Sequence, residues 1–304
     1  MSEATLDGAA RPLETPLRLR LAARGYDSVT LMLIPAIALM IGLFVYPFAY
    51  GLWLSFHPKD GGGALANYVN FFTDPFLYDT IGKTMWIALP VTIFNILISI
   101  PIAFRVRLMK RQRLLTTILV LPITLGTVLV AEGLLNYLGP QGWFNRTLMA
   151  FGLVSSPVKL VHNFWGVVMS LVITGFPFAF LLTLSYVTGI DPALEQAAAT
   201  LGARAWARFK TIFLPLLAPG LAITFCLVFV QAYSVFPSAV MLGEPAGETR
   251  VISIAAYQAA FEQYDAALAS AIAIIMGVVQ LIVVIAALSL RGLFYRGPAA
   301  GGKG

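Results

Sequence analysis

The sequence predicts an all-α, polytopic membrane protein with six transmembrane helices. Of its 304 residues, 59% are hydrophobic and only 11% are charged, and the mean hydropathy is +0.84, well above the range of soluble proteins. A bilayer core about 30 Å thick needs about 20 apolar residues per helix. Six stretches reach that length, with approximate bounds 31–56, 81–104, 114–138, 164–187, 216–242 and 268–290.

The positions of the basic residues predict that both termini lie in the cytoplasm. Six spans place the two ends on one side of the membrane, and short cytoplasmic loops are enriched in Lys and Arg. With the N terminus inside, most of the 20 basic residues fall in inner segments. We therefore expect an N-in, C-in topology, with cytoplasmic segments 1–28 and 291–304 on either side of a transmembrane domain over 29–290. The basic residues left on the outer side are Lys59, Lys83, Arg146, Lys159 and Arg250.

Several other classes of protein are disfavoured. The net charge of +6 does not indicate a nucleic-acid partner, because the positive charge lies on loops that the topology already requires to be basic. Cys226 is the only cysteine, so no intrachain disulfide or cysteine metal cluster is possible. An intramembrane hydrolase would need paired catalytic groups within the spans, such as two Asp residues or Ser with His, and the spans lack them. We expect no enzyme activity, no metal and no cofactor.

A polar, basic segment over 189–215, between the fourth and fifth spans, predicts a pair of short helices in water. Asp191 followed by Pro192 is a favourable helix start. Glu195 falls in the first turn, where a negative charge suits the helix dipole. Gly202 is predicted to end this helix as a left-handed cap. A second helix begins near Arg204 and places three aromatic residues on one face, namely Trp206, Phe209 and Phe213.

This hairpin resembles the cytoplasmic loop of the membrane permease subunits of binding-protein-dependent ABC importers. The pattern of that family is E-A-A-x3-G-x9-I-x-L-P. The first position holds Gln196, with Glu195 one residue earlier. The LGA, LPLLAPG and MLGEP elements look most like the polyamine, iron and sulfate group of permeases, with polyamine first. The remaining positions match at the family spacing, through Ala197, Ala198, Gly202, Ile212, Leu214 and Pro215.

The resemblance implies the type I importer permease fold in a bacterial inner membrane. The helix over 192–201 would be a coupling helix seated in a cytoplasmic ATPase dimer. A second permease subunit in the lipid would complete the complex with a periplasmic or extracellular solute-binding protein. That subunit would be a copy of this chain or, as is general in the polyamine-like group, a different one. Gln lacks the charge of Glu but can still hydrogen bond, so either Gln196 or Glu195 could contact the ATPase. The residues implied for coupling are Glu195, Gln196, Ala197, Ala198, Gly202, Trp206, Phe209, Ile212, Leu214 and Pro215.

Polar residues within the spans indicate a candidate substrate path. A carboxylate inside a span, such as that of Glu132, is a functional candidate by default, although it could instead reach headgroups or pair with a neighbour. In the fifth span, interhelical hydrogen bonds involving Gln280 of the sixth span are the alternative to solute contact. The candidate path residues are Glu132, Asn136, Tyr137, Gln231, Tyr233 and Ser234.

The carboxylate in the path and the acidic residues of the outer loops favour a cationic cargo such as a polyamine. Iron, sulfate or another small solute are the alternatives within the same transporter class. The alternative from another class is a membrane channel, which would not need the hairpin pattern.

Overall fold

The computed structural model describes residues 28–59 and 61–294, and within them it is helical without strands. The helices are α1 (Ser28–Met40), α2 (Tyr46–Ser55), α3 (Ala66–Thr73), α4 (Pro75–Val106), α5 (Gln112–Leu138), α6 (Trp143–Ala150), α7 (Phe164–Thr188), α8 (Pro192–Thr200), α9 (Ala205–Arg208), α10 (Leu214–Tyr233), α11 (Pro237–Leu242), α12 (Ile252–Tyr257) and α13 (Ala266–Phe294). Three π-helical turns connect or extend them: Ile41–Val45 joins α1 to α2, Phe209–Phe213 joins α9 to α10, and Gln258–Glu262 extends α12.

Six helical stretches of the described chain are long and apolar enough to cross a membrane, which confirms the predicted six-span, all-α fold. The predicted segments 1–28 and 291–304 lie largely outside the described residues. The six stretches are Met32–Ser55, Pro75–Val106, Gln112–Ala150, Phe164–Thr188, Ala205–Tyr233 and Ala266–Leu290.

The fifth span differs from the predicted range 216–242. The long helix ends at Tyr233, and the short helix α11 begins only at Pro237. Proline lacks an N–H and pushes the preceding residue out of the helical region, and Phe236 accordingly has φ −133° and ψ −59°. The third span is also interrupted, because Gly126 within α5 has φ 76° and ψ 163°.

The described chain divides into two compact units, with the boundary between Trp53 and Leu54. In the first unit, α1 contains Pro35 and continues through the π-helical turn into α2. In the second unit, the end of α2 is bonded to α3, since Asn67 Nδ2 donates to the Ser55 carbonyl at 2.9 Å.

Helix α4 is central to the second unit, packing against α7 and α10, while α7 also contacts α5. One apolar cluster, which includes Phe229 and Ile272, joins α10 to α13 and α12. Another, which includes Phe180 and Phe213, holds the ends of α4, α7 and α10 that adjoin the hairpin. The hairpin therefore rests on a packed three-helix base.

Helix α7 begins against the backbone of two other segments. A Cβ atom added at Gly166 would lie 2.7 Å from the Leu242 carbonyl oxygen and 2.9 Å from that of Leu160. The Leu242 carbonyl also accepts a hydrogen bond from the Asn163 backbone N–H at 3.2 Å. Only glycine allows this approach without moving backbone.

We expect Gly166→Ala to lower the free energy of unfolding by about 1–3 kcal/mol, because both contacting atoms belong to the backbone. Thermal unfolding of the purified protein in detergent measures the effect. Gly277→Ala in α13 is the matched control, since an added Cβ there meets nothing within 4 Å. Equal melting temperatures for the two variants would contradict the assignment.

Candidate functional site

The first helix of the hairpin forms as predicted, over Pro192–Thr200. The Asp191 carboxylate accepts a hydrogen bond from the Ala193 backbone N–H at 2.8 Å, and Glu195 lies in the first turn. Gly202 has φ +80°, the left-handed conformation expected of a glycine cap. The predicted cap and stop signals of this helix are confirmed.

Helix α8 presents most of its surface to the outside, and none of its residues is buried in the described structure. Gln196, Ala197 and Ala199 are exposed, whereas Glu195 and Ala198 are half-buried. A face with such small side chains lets another protein approach the helix backbone closely.

The Glu195 carboxylate joins α8 to the ends of two other helices. Its Oε2 atom lies 2.5 Å from Nη2 of Arg107, the residue that follows α4. Its Oε1 atom lies 3.6 Å from Nη1 of Arg208, the last residue of α9. The side chain of Arg107 is only 11% exposed and that of Glu195 32%, so water screens this pair less than a surface ion pair.

Two aromatic rings, which contact each other edge to face, also pack against the Arg107 guanidinium. It lies 4.9 Å from the ring centroid of Phe104 and 4.8 Å from that of Phe213, within range of cation–π attraction. Phe104 also makes an edge contact with Phe209 at 5.6 Å, and Trp206 stacks on Phe209 at 5.5 Å. The predicted aromatic face therefore forms a connected set, from exposed Trp206 to buried Phe213.

The other residues of the family pattern lie where the chain passes from the hairpin into α10. Ile212 and Pro215 are half-buried and Leu214 is exposed. Pro215 is the second residue of α10, directly after the π-helical turn Phe209–Phe213, and it has no N–H to donate within the continuous helical stretch. This part of the pattern lies at the irregular turn that joins α9 to α10.

The three candidate path residues of α5 lie at its exposed end. Asn136 Nδ2 donates to Glu132 Oε1 at 3.0 Å, so these two side chains are brought together. Tyr137 is 45% exposed and lies 6.0 Å from the Phe144 ring.

The candidates of the fifth span do not act as one group. Gln231 and Ser234 are exposed and line the same cavity, whereas Tyr233 is fully buried. Tyr233 differs in this way from the expected path-facing side chain, because one helical step turns it into the core. Gln280 Nε2 donates to Ser234 Oγ at 2.8 Å, so the hydrogen bond between the fifth and sixth spans is present.

Sequence reasoning missed four polar residues that line this cavity, Asn95, Thr127, Thr174 and Ser238. The threonines of a span do not by themselves indicate a cavity, because a Thr hydroxyl commonly donates to the backbone of its own helix, as Thr174 Oγ1 does to the Ser170 carbonyl at 2.9 Å. Asn95 was the available signal, since a carboxamide in the middle of an apolar span needs a partner.

Sequence reasoning also missed Arg250, which is only 2% exposed, in the loop between α11 and α12. Its Nη2 donates to Gln258 Oε1 at 2.8 Å, and its guanidinium lies 3.5 Å from the Phe76 ring centroid. Burial lowers the pKa of Arg250, while the nearby Asp74 and Glu262 carboxylates raise it. The side chain ties this loop to the start of α4.

Comparison with known proteins identifies the family. Residues 93–296 match the model of the binding-protein-dependent transport system inner membrane component. The spermidine/putrescine permease protein PotB of Haemophilus influenzae is 30% identical over 200 residues, which cover 63% of this chain and 70% of that protein. The trehalose/maltose permease protein MalF of Thermococcus litoralis is 30% identical over 262 residues, covering 81% and 86%.

Solved structures show the same fold. A chain of a bacterial ABC transporter involved in the import of the polysaccharide alginate superimposes with a TM-score of 0.74 at 23% identity, covering 90% of this chain and 98% of that one. A chain of the MetNI methionine transporter gives 0.58 at 14% identity, covering 73% and 97%. The chain therefore belongs to the multi-pass inner-membrane permease components of binding-protein-dependent ABC importers, which are transport subunits and not enzymes.

Proposed function

We propose that this permease is driven by a separate cytoplasmic ATPase dimer through α8, which acts as the coupling helix. The observation that carries the proposal is the Glu195 carboxylate, held by Arg107 and Arg208. It links an exposed helix to the ends of α4 and α9. Movement of α8 by a bound ATPase would then be passed directly to the spanning helices.

In this arrangement Gln196 contacts the ATPase. Glu195 instead forms the internal link, which is its pair of ionic contacts with Arg107 and Arg208. The Glu195 carboxylate already has two cationic partners, and its side chain is half-buried. Gln196 is exposed, and its carboxamide can both donate and accept hydrogen bonds. The docking contact at this position is therefore uncharged.

The proposed topology is N-in and C-in, with the hairpin 189–215 on the cytoplasmic side of the 29–290 domain. Its Arg204, Arg208 and Lys210 fit the excess of basic residues in cytoplasmic loops. A second, different permease subunit and a solute-binding protein on the outer side would complete the transporter. A related alginate transporter was solved in complex with its pentasaccharide-bound periplasmic protein, which supports the latter partner.

For the cargo we propose a polyamine. The similarity to the spermidine/putrescine permease supports it. The Glu132 carboxylate also supports it, because its negative charge, near an exposed helix end, would attract a cation. Glu132, Asn136 and Tyr137 would form the entrance, and Gln231 and Ser234 would continue the path. Relatives that carry sulfate, trehalose and molybdenum are the reason to test several solutes.

Breaking the internal link should uncouple ATP hydrolysis from import. A hydrogen bond to a charged group is worth about 1.5–3 kcal/mol, so Glu195→Gln should lower import per ATP hydrolysed several-fold. The ratio of solute imported to ATP hydrolysed is measured with the transporter reconstituted in proteoliposomes. Glu248→Gln, at an exposed acid of a loop far from the hairpin in sequence, is the control. Partial recovery in the charge-swapped pair Glu195→Arg with Arg107→Glu is expected, and an unchanged ratio in Glu195→Gln would sink the proposed link.

Cysteine cross-linking separates the roles of Glu195 and Gln196. In a Cys226→Ser background, a short bismaleimide should join Gln196→Cys to a cysteine introduced on the docking surface of the ATPase, because the side chain at position 196 is exposed. Glu195→Cys should react far less, because its side chain is directed towards Arg107. Covalent product on a denaturing gel is the readout. The opposite pattern would assign the ATPase contact to Glu195.

The cap of α8 offers a test at a single position. An added Cβ at Gly202 meets nothing within 4 Å, but φ is +80°, so the obstacle is backbone strain alone. Gly202→Val should reduce import about tenfold or more, because a β-branched residue is a genuine outlier at positive φ. Gly202→Asn tolerates this conformation and should retain most of the import. Equal import by the two variants, at matched amounts in the membrane, would refute a role for the cap.

A further inference from the structure

A groove of about 670 Å³ opens where the hairpin meets the end of α4. Its lining is mostly apolar and comes from the last turns of α4, from α9 and from the π-helical turn that follows α9. The two sides meet through the edge contact of Phe104 with Phe209, and both rings line the groove. Leu97 and Trp206 also line it and are 61% and 72% exposed. Large apolar side chains are thus left uncovered by the described chain.

The groove lies across the boundary between the hydrocarbon core of the bilayer and its headgroup layer. The segment 97–104 belongs to the second span and covers about 10 Å along the helix axis. Arg105 is the first basic residue after this apolar segment, and basic side chains at the end of a span reach the headgroup layer. Tryptophan is enriched at the same level, which fits Trp206 on the other side of the groove. One end of the groove is therefore in hydrocarbon and the other at the phosphate layer.

The charged end of the groove carries an excess of positive charge. Arg105 lines it, is exposed, and has no side-chain hydrogen bond or ion pair within the described residues. The Glu195 carboxylate also lines the groove and would repel an anion. Both of its oxygens, however, are paired with the guanidinium groups of Arg107 and Arg208. Three arginines against one carboxylate leave this end cationic, with Arg105 available to a ligand.

An apolar groove that ends at an available arginine matches a phospholipid with an anionic headgroup. An acyl chain can pack against Leu97, Pro101 and Phe104, and it enters from the bilayer without exposing apolar surface to water. The planar Arg105 guanidinium can donate two parallel hydrogen bonds to a phosphate. Basic pockets between spanning helices bind the headgroups of anionic lipids in this way. The ammonium of a zwitterionic headgroup would offset the attraction.

We propose that this groove binds one anionic phospholipid, with its phosphate at Arg105 and an acyl chain between α4 and α9. The bound lipid bridges the same two elements as the Glu195 ion pairs, so it holds the hairpin against the spans. The site shares no lining residue with the cavity at the break between α10 and α11. The assignment to the cytoplasmic leaflet rests on the proposed topology, whereas the binding itself does not.

The test uses photoactivatable lipids in proteoliposomes, with the chain alone and with the complete transporter. Phosphatidylglycerol and phosphatidylcholine carry the same diazirine in one acyl chain, and each is added at the same low fraction to vesicles of phosphatidylcholine. After illumination, mass spectrometry of the digested chain measures the lipid attached to the segment 97–104. The labelling needs no ATP, so it decides the lipid site even if the proposed coupling to an ATPase fails.

Two pairs of variants separate the headgroup contact from the groove. Arg105→Gln removes the charge, and Arg111→Gln is its control, because Arg111 is also exposed and lies beyond α4 but does not line the groove. Ala205→Phe fills the groove. Ala207→Phe is its control, since Ala207 is exposed on the same helix outside the lining.

In the wild type we expect about fivefold more labelling by phosphatidylglycerol than by phosphatidylcholine, the attraction of one arginine for an anionic lipid surface. Arg105→Gln should abolish this preference, and Arg111→Gln should retain it. Ala205→Phe should lose most of the labelling by both lipids, whereas Ala207→Phe should be labelled like the wild type. Equal labelling by the two lipids in the wild type, or a preference that survives Arg105→Gln, would overturn the proposal.

Two further results would assign the groove to another occupant and would also overturn the proposal. Labelling of the chain alone that disappears in the complete transporter would show that a second permease covers the groove. Loss of phosphatidylglycerol labelling in inorganic phosphate, but not in chloride of equal ionic strength, would show a site for a soluble anion. We expect the labelling to persist in both cases.

Discussion

The bilayer imposes the constraint on which the rest of the structure depends: each backbone N–H and C=O inside it must be bonded within the protein. The chain meets that constraint with long helices, and the main interruptions, at Gly126 and between Tyr233 and Pro237, adjoin a cavity that several polar side chains help to line. The cost of burying charged side chains in lipid keeps the basic hairpin out of the bilayer. The cavity and the exposed hairpin therefore both occur where the chain departs from a continuous spanning helix.

Under the proposed coupling the hairpin would transmit movement, although α8 has nine residues and none of them is buried. A helix this short is marginal in water without tertiary support, and apolar packing cannot supply that support here. Local caps at Asp191 and Gly202 hold its two ends, and the Glu195 ion pairs hold its middle. The Glu195 carboxylate, placed between cations at the ends of α4 and α9, thus stabilises α8 in place of the apolar packing that stabilises the other helices.

Much of the fold could be predicted because apolar length and helix caps are local properties of a sequence. The six spans and the start and stop of α8 were accessible in this way. The partner of Glu195 was not, since Arg107 lies 88 residues away and its choice depends on how α4 packs. The burial of Tyr233 and the grouping of Asn95 with Thr174 likewise follow from helix rotation, which weakly amphipathic, uniformly apolar spans do not reveal.

The central claim is that α8 and the inner end of α4 move as one body when the ATPase closes. The distance between spin labels at two exposed positions, Ala199 of α8 and Leu108 just beyond α4, reports their relative movement in the assembled transporter. Double electron–electron resonance should give the same distance with and without ATP, and Glu195→Gln should broaden the distribution. If the distance shifts on ATP binding while Glu195 is retained, α8 moves independently of α4, which would contradict the proposed coupling.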